Sequence, residues 1–125
     1  MVDKEEKLGA NLLNLLAATR NKRICTVSYQ GKTRVFCPHL VGQALKKGDT
    51  EPKFVVHAYQ FGGEGSKGPV TSASAGWRFF YLDDMDSVVQ MSEGAWLPEE
   101  LEKKEKSVPA FIVKVHAMAG EDNNG

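Results

Sequence analysis

The sequence predicts a mainly β protein with flanking helices (fold class α+β), whose strands form a small antiparallel barrel or curled sheet. Three observations support this fold. Several short runs alternate between apolar and polar residues, glycine-containing turns connect them, and one leucine-rich stripe precedes them all. Short strands with hairpin connections favour antiparallel pairing over β-α-β units. The 125 residues suffice for one domain with a modest core.

Apolar residues near the N-terminus recur at helical spacing and predict a helix over residues 4–20. Gly9 weakens its first turns, so the firm part is 10–20, and Asn21 is the expected stop. A leucine-rich helix of this length usually packs on a core or forms a dimer contact. Residues 1–21 are therefore predicted to be an N-terminal helical segment.

Residues 22–97 are predicted to be the β domain. Cys25, Val27 and Tyr29 alternate with polar residues, and a Gln30–Gly31 turn joins this strand to a second one over 33–37. Pro38 lacks an amide donor, so it is expected to end that pairing or to lie at an edge. Further strands are predicted from the apolar runs at 54–61, 77–82 and 87–91.

The C-terminal part is predicted to form a short helix and a closing strand over residues 98–118. Pro98 opens a segment with glutamate and lysine at helical i,i+4 spacing, and the run 110–118 alternates as a strand does. Residues 119–125 are predicted to be a disordered tail.

The charges balance to zero, but they are unevenly distributed. Eight basic and two acidic residues lie between Arg20 and Lys53, whereas seven acidic residues and no basic one lie between Asp83 and Glu102. The basic half could hold an anion. The alternative is that strands of the two halves pair, so that the charges mix on the surface.

No apolar stretch is long enough for a membrane span, and no signal peptide is evident, so a cytoplasmic location and no membrane partner are expected. Cys25 and Cys37 are then expected to be reduced, packed thiols. The three histidines are scattered, so neither a metal site nor a cofactor is expected.

The segment 62–70 (GGEGSKGPV) matches the dinucleotide fingerprint through Gly63, Gly65 and Gly68. Such glycines act by leading into a helix whose N-terminal amides bind the pyrophosphate. Here Pro69 and a stretch without helical period follow. The segment is therefore expected to be a loop between two strands, with the binding residues flanking the glycines.

Catalytic patterns are equally weak. The sequence has no nucleophile elbow, and the carboxylates at Asp83, Asp84 and Asp86 fit a solvated turn better than a paired-acid site. A small cytoplasmic β-rich binding domain is expected from the residues alone.

The order of motifs from Tyr29 to Met85 resembles the WYL domain, a small β-barrel module of bacterial regulators. The matching stretches are YQGKTR, CPHLV, FVVHAYQ and RFFYLD. They lie within residues 20–96. Two positions depart from the family pattern: Phe54–Val56 replaces the tripeptide that names the family, and Asp84 replaces a residue that is usually basic.

The resemblance implies an Sm/SH3-like barrel that senses a ligand without catalysis, with a basic and aromatic pocket for a nucleotide, a single-stranded nucleic acid or another anion. Six positions carry over as ligand-binding candidates: Arg78, Arg34, His39, Tyr59, Tyr29 and, less directly, His57. Among them Arg78 is favoured, because an arginine within WRFFYL needs a polar partner. Tyr29 could equally be a core residue, and Arg34 could pair with Asp83 or Asp84.

Two other functions remain open at this stage. The N-terminal helix and exposed strand edges could build a homodimer or bind a protein partner, with no small ligand. A small hydrolase with His39 or His57 as the base is the least favoured function.

Overall fold

The computed structural model of the protein describes residues 3–65, 67–71, 74–92 and 108–119. Its elements in chain order are helix α1 (Lys4–Arg20), strands β1 (Ile24–Tyr29), β2 (Lys32–Ala44), β3 (Lys53–Gly65), β4 (Gly68–Pro69) and β5 (Gly76–Tyr81), a 3-10 helix (Leu82–Asp84), and strands β6 (Gln90–Ser92) and β7 (Ile112–Met118). The predicted mainly β fold with an N-terminal helix is confirmed.

Helix α1 begins and ends at polar caps. The Asp3 carboxylate accepts a bond of 2.8 Å from the Glu6 amide, and the Asn21 side chain donates to the Ala17 carbonyl. Leu15 is fully buried and the leucines on its side pack on the sheet, whereas Leu13 is 69% exposed. Most of the leucine stripe therefore serves the core. No helix among the described residues is long and apolar enough to cross a membrane.

The sheet is built around β2 and β3, which pair antiparallel over their lengths. The other edge of β2 is shared by β1, which pairs with its first half, and β7, which pairs with its second half. The other edge of β3 is shared by β5 and β4. Gln30 (φ 52°) and Gly31 (φ 77°) form the tight β1–β2 turn, as the sequence predicted.

The 3-10 helix carries the chain from β5, at one edge of the sheet, to β1 and β6, at the other. Directly after it, Met85 forms a bridge with Tyr29, and β6 then pairs with β1. The Tyr81 amide donates to the Tyr29 hydroxyl at 3.2 Å, which holds the two edges close together. The sheet is thus strongly curled. Among the described strands no pairing joins β5 to β6, so the closed barrel stays a prediction.

The two faces of the curled sheet bury different clusters. The core face packs against α1 and includes Phe36, Val56 and Phe80. The opposite face, here called the aromatic face, carries half-buried rings over buried Cys37; these rings are Tyr59, Phe61 and Trp77.

Three of the predicted boundaries are wrong. Strand β2 does not end near Cys37 but runs through Pro38 to Ala44. Pro38 is tolerated because it lies between the parts of β2 paired with β1 and with β7, at a register shift against β3. The predicted glycine loop is also shorter, because β3 continues through Gly65 and forms a hairpin with β4.

The third wrong boundary concerns 87–91, where only Gln90–Ser92 forms a strand. Asparagine side chains of α1 form hydrogen bonds with the backbone of Ser87 and Val89, which precede this strand. The Val89 amide donates to the Asn11 side chain at 2.7 Å, and Asn11 donates to the Ser87 carbonyl at 3.0 Å. The predicted C-terminal helix after Pro98 and most of the predicted tail lie outside the described residues.

Candidate functional site

The six predicted ligand-binding residues lie on two faces of the sheet and do not form one pocket. Side chains alternate along a strand, so His57 and Tyr59 of β3 share the aromatic face. On β5, Trp77 and Phe79 contact these residues, which places Arg78 on the opposite side with Phe80. Tyr29 and Arg34 also lie on the core face, because both contact Phe80.

Tyr29 is a core residue, since only 6% of it is exposed. Its ring packs edge-on against Phe80 at 5.0 Å between centroids, and its hydroxyl accepts the Tyr81 amide. Burial raises the pKa of the Tyr29 hydroxyl above its ordinary value, although the bond from Tyr81 acts in the opposite direction. Tyr29 is therefore an unsuitable stacking platform for a ligand.

Arg34 is buried between two aromatic rings and is 8% exposed. Its guanidinium carbon lies 5.5 Å from the Tyr29 ring centroid and 5.8 Å from that of Phe80. Its Nη2 atom donates to the Tyr29 carbonyl at 3.4 Å, and its Nε atom has no hydrogen-bond partner among the described residues. Arg34 does not line a described cavity, and its guanidinium is buried within the core face.

His39 and His57 lie under the rings of the aromatic face and are 0% and 6% exposed. Trp77 contacts both, at 5.3 Å and 4.8 Å between ring centroids, and the two imidazoles are 5.9 Å apart. The His57 ring stacks on Phe79 at 4.3 Å with an interplanar angle of 7°. Both histidines are thus covered by protein. Half-buried Tyr59, which meets Trp77 edge-on at 5.6 Å, is the most accessible candidate of this group.

Arg78 lines an open cavity of about 350 Å³ between β5 and the β3–β4 hairpin. Its Nη1 atom donates to the Trp77 carbonyl at 3.0 Å and its Nη2 atom to the Ser74 carbonyl at 3.1 Å. The described lining residues are Gly65, Lys67, Gly68, Pro69, Val70, Ser74 and Arg78. Both charged side chains in this set are cations, and the set includes no carboxylate. We call this site the Arg78 cavity.

The glycine segment contributes to the lining of this cavity. The expectation that the ligand-binding residues flank the glycines stays a prediction. Gly63 has φ 76°, and a Cβ atom there would collide with the Thr33 carbonyl oxygen, so glycine is required where β3 pairs with β2 at Arg34. The hairpin that follows brings Gly65 and Lys67 to Arg78. Lys67 was missed from the sequence because its position depends on this hairpin.

A second concave site, of about 230 Å³, contains charges of both signs. It is lined by Lys46, Asp49, Lys53, Tyr81, Asp83 and Asp84. The Lys46 ammonium lies 4.7 Å from the Tyr81 ring centroid. Lysines and carboxylates at close range offset each other, so this site offers less attraction for an anion than the Arg78 cavity.

The two cysteines are buried thiols outside any disulfide, on opposite faces of the sheet. Burial, with a smaller contribution from Cys37, raises the pKa of the Cys25 thiol to about 12. A thiol with this pKa stays protonated and unreactive at neutral pH. Among the described residues no group of three or more histidine, cysteine or acidic side chains could hold a metal ion.

Fold and site together define a small β-rich domain with a cationic cavity at Arg78. Comparisons of the chain with protein-family models, with curated proteins and with solved structures found no match. The resemblance to WYL domains therefore stays a prediction that depends on the motifs of the sequence.

Proposed function

We propose that the protein is a non-catalytic ligand-sensing module of a bacterial cytoplasmic regulator, with a WYL-like, Sm/SH3-like barrel. Its ligand is an anion, such as a nucleotide or a single-stranded nucleic acid, and it binds in the Arg78 cavity. The observation that carries this proposal is the lining of the cavity. Of the described residues that line it, the only charged ones are Lys67 and Arg78, and both are cations.

Arg78 suits phosphate recognition because its guanidinium is planar and oriented. The bonds to the carbonyls of Trp77 and Ser74 fix the direction of the side chain. A guanidinium fork can bind two oxygens of a phosphate side by side, which a lysine ammonium does not do.

The aromatic part of the ligand site is proposed to lie across the edge of β5. Among the described strands, β5 pairs only with β3, and its other edge is open. Trp77 and Arg78 are consecutive on this strand and point to opposite faces. A single-stranded nucleic acid that crosses the edge can place a phosphate at Arg78 and stack a base on half-buried Trp77 or Tyr59.

Fluorescence anisotropy with a short labelled oligothymidylate tests this proposal. We expect Arg78→Gln and Lys67→Gln each to weaken binding by about tenfold or more, because a hydrogen bond to a charged group is typically worth about 1.5–3 kcal/mol. Binding should also weaken as salt rises from about 50 to about 200 mM, and less steeply in the variants.

Lys47→Gln is the matched control, since Lys47 is exposed and does not line the Arg78 cavity. It removes the same charge and should change binding little. Arg78→Lys keeps the charge but loses the planar fork, and should give intermediate affinity. If all four variants bind as the unmodified protein does, with unchanged unfolding curves, the Arg78 cavity is not the ligand site.

A further inference from the structure

The charge of the Arg78 cavity bears on which anion it prefers. Two cationic side chains line it, and the Lys32 ammonium donates to the carbonyl of the lining residue Gly65 at 3.0 Å. The nearest carboxylate along the chain is that of Glu64, which is exposed. A ligand with two negative charges is balanced by Lys67 and Arg78, whereas a ligand with one leaves a cation uncompensated.

Arg78 keeps donors available for such a ligand. A guanidinium has five N–H donors, and within the described residues the Trp77 and Ser74 carbonyls accept from two of them. The remaining three lie on a side chain that is already oriented, so little rotamer freedom is lost when an anion binds.

The glycines of the hairpin leave room for a compact headgroup next to these donors. Gly65 and Gly68 present no side chain to the cavity, and Gly68 has φ 117°, a conformation that favours glycine. Its Cα is open on the side where a Cβ would lie. A tetrahedral group can therefore approach the backbone of the hairpin while its oxygens face Lys67 and Arg78.

We propose that the Arg78 cavity prefers the dianion of a phosphate monoester, such as a terminal phosphate, over the monoanion of a phosphodiester. This inference rests on the proposed function, namely that the cavity is an anion site. It narrows the ligand class to molecules that end in a phosphate: a mononucleotide, or a nucleic acid with a terminal phosphate, rather than the interior of a strand.

A heteronuclear NMR titration of the full chain with methyl phosphate, dimethyl phosphate and sulfate tests the inference. The second pKa of a phosphate monoester is about 6, so the dianion fraction rises about tenfold between about pH 5 and pH 7. We expect the affinity for methyl phosphate to rise by about the same factor. Sulfate is a dianion at both pH values, so its affinity should stay constant and serves as the control. A change in sulfate affinity would report a change in the charge of the protein groups around the cavity, namely Lys32, Glu64, Lys67 or Arg78.

Dimethyl phosphate is expected to bind about tenfold more weakly than methyl phosphate at the higher pH. The Arg78→Gln variant should bind the two esters equally, whereas the control variant Lys47→Gln should keep the tenfold difference. Equal affinity for the two esters, or a pH dependence equal to that of sulfate, overturns the inference. If the preference for the dianion fails but oligothymidylate binding still requires Arg78, the proposed function stands without this inference. If Arg78→Gln changes neither oligothymidylate nor methyl phosphate binding, both fail.

Discussion

The two faces of the curled sheet use similar side chains in different ways. On the core face, Tyr29, Arg34 and Phe80 are buried and contact one another. On the aromatic face, half-buried rings such as Trp77 cover the buried imidazoles of His39 and His57. The basic and aromatic candidate residues on these two faces are thus mostly packed. Arg78 differs, because it lines an open cavity together with exposed Lys67, where β5 adjoins the hairpin.

The largest expected effect comes from alanine substitutions of two neighbouring phenylalanines on β5. Phe80 is 2% exposed and packs on Tyr29 and Phe36, whereas Phe79 is half-buried and stacks on His57. We expect Phe80→Ala to lower the free energy of unfolding by about 3–5 kcal/mol. Phe79→Ala should cost about 1–2 kcal/mol, because part of its ring is already in water.

Urea unfolding followed by circular dichroism measures both values, and each variant is the other's control, since both delete the same ring from β5. Equal losses would show that the aromatic face is as tightly packed as the core face. The half-buried rings would then be structural, and base stacking on Trp77 or Tyr59 would lose its support.

The two cysteines give a second, smaller contrast between the faces. Cys25 lies in the core cluster and Cys37 under the aromatic face, and both are fully buried. With a pKa of about 12, roughly one Cys25 thiol in 10⁴ is ionised at about pH 8. Reaction with iodoacetamide therefore requires local opening. We expect Cys37 to react about tenfold faster than Cys25, because half-buried rings open more easily than a helix-covered core.

Peptide mass spectrometry after timed labelling resolves the two sites. In concentrated urea both cysteines should react at the same rate, which controls for differences in digestion and detection. Equal rates in the native protein would mean that both faces open only by global unfolding.

The sequence predicted the elements of this fold better than their ends. The leucine stripe of α1, the Gln30–Gly31 turn and the alternation in β1 follow from local geometry, and all three were confirmed. Strand β2 was predicted too short, because tolerance of Pro38 depends on where β1 stops and β7 starts. The segment 87–89 was predicted as a strand, because its apolar pattern does not reveal that Asn11 binds its backbone.

The candidate site was predictable only in part. Arg78 was favoured because a cation within an aromatic strand needs polar partners, and two backbone carbonyls supply them. The sequence could not divide the other five candidates between two faces, since the bulges of β2 shift the register against β3. Lys67 was missed because loop composition does not reveal a hairpin that returns to β5.

The smallest expected effect concerns the third histidine, His116, and the dependence of the protein's stability on pH. His116 lies at the end of the core face, with Nε2 2.8 Å from the Gln43 side-chain oxygen and its ring 5.6 Å from that of Phe54. Burial, and secondly Lys114, lowers the pKa of His116 below its ordinary value of 6.5. The folded state therefore binds fewer protons than the unfolded state. This contribution to stability is complete above about pH 6.5 and is lost as the pH falls through the lowered value.

Urea unfolding between about pH 5 and pH 8 should thus show a shallow loss of stability on the acid side that His116→Gln removes, since glutamine keeps a polar contact but does not titrate. Lys114→Gln should reduce the loss slightly, because it removes the neighbouring positive charge. If the acid loss persists unchanged in His116→Gln, a group other than His116 carries it, and the role assigned to the lowered pKa of His116 is wrong.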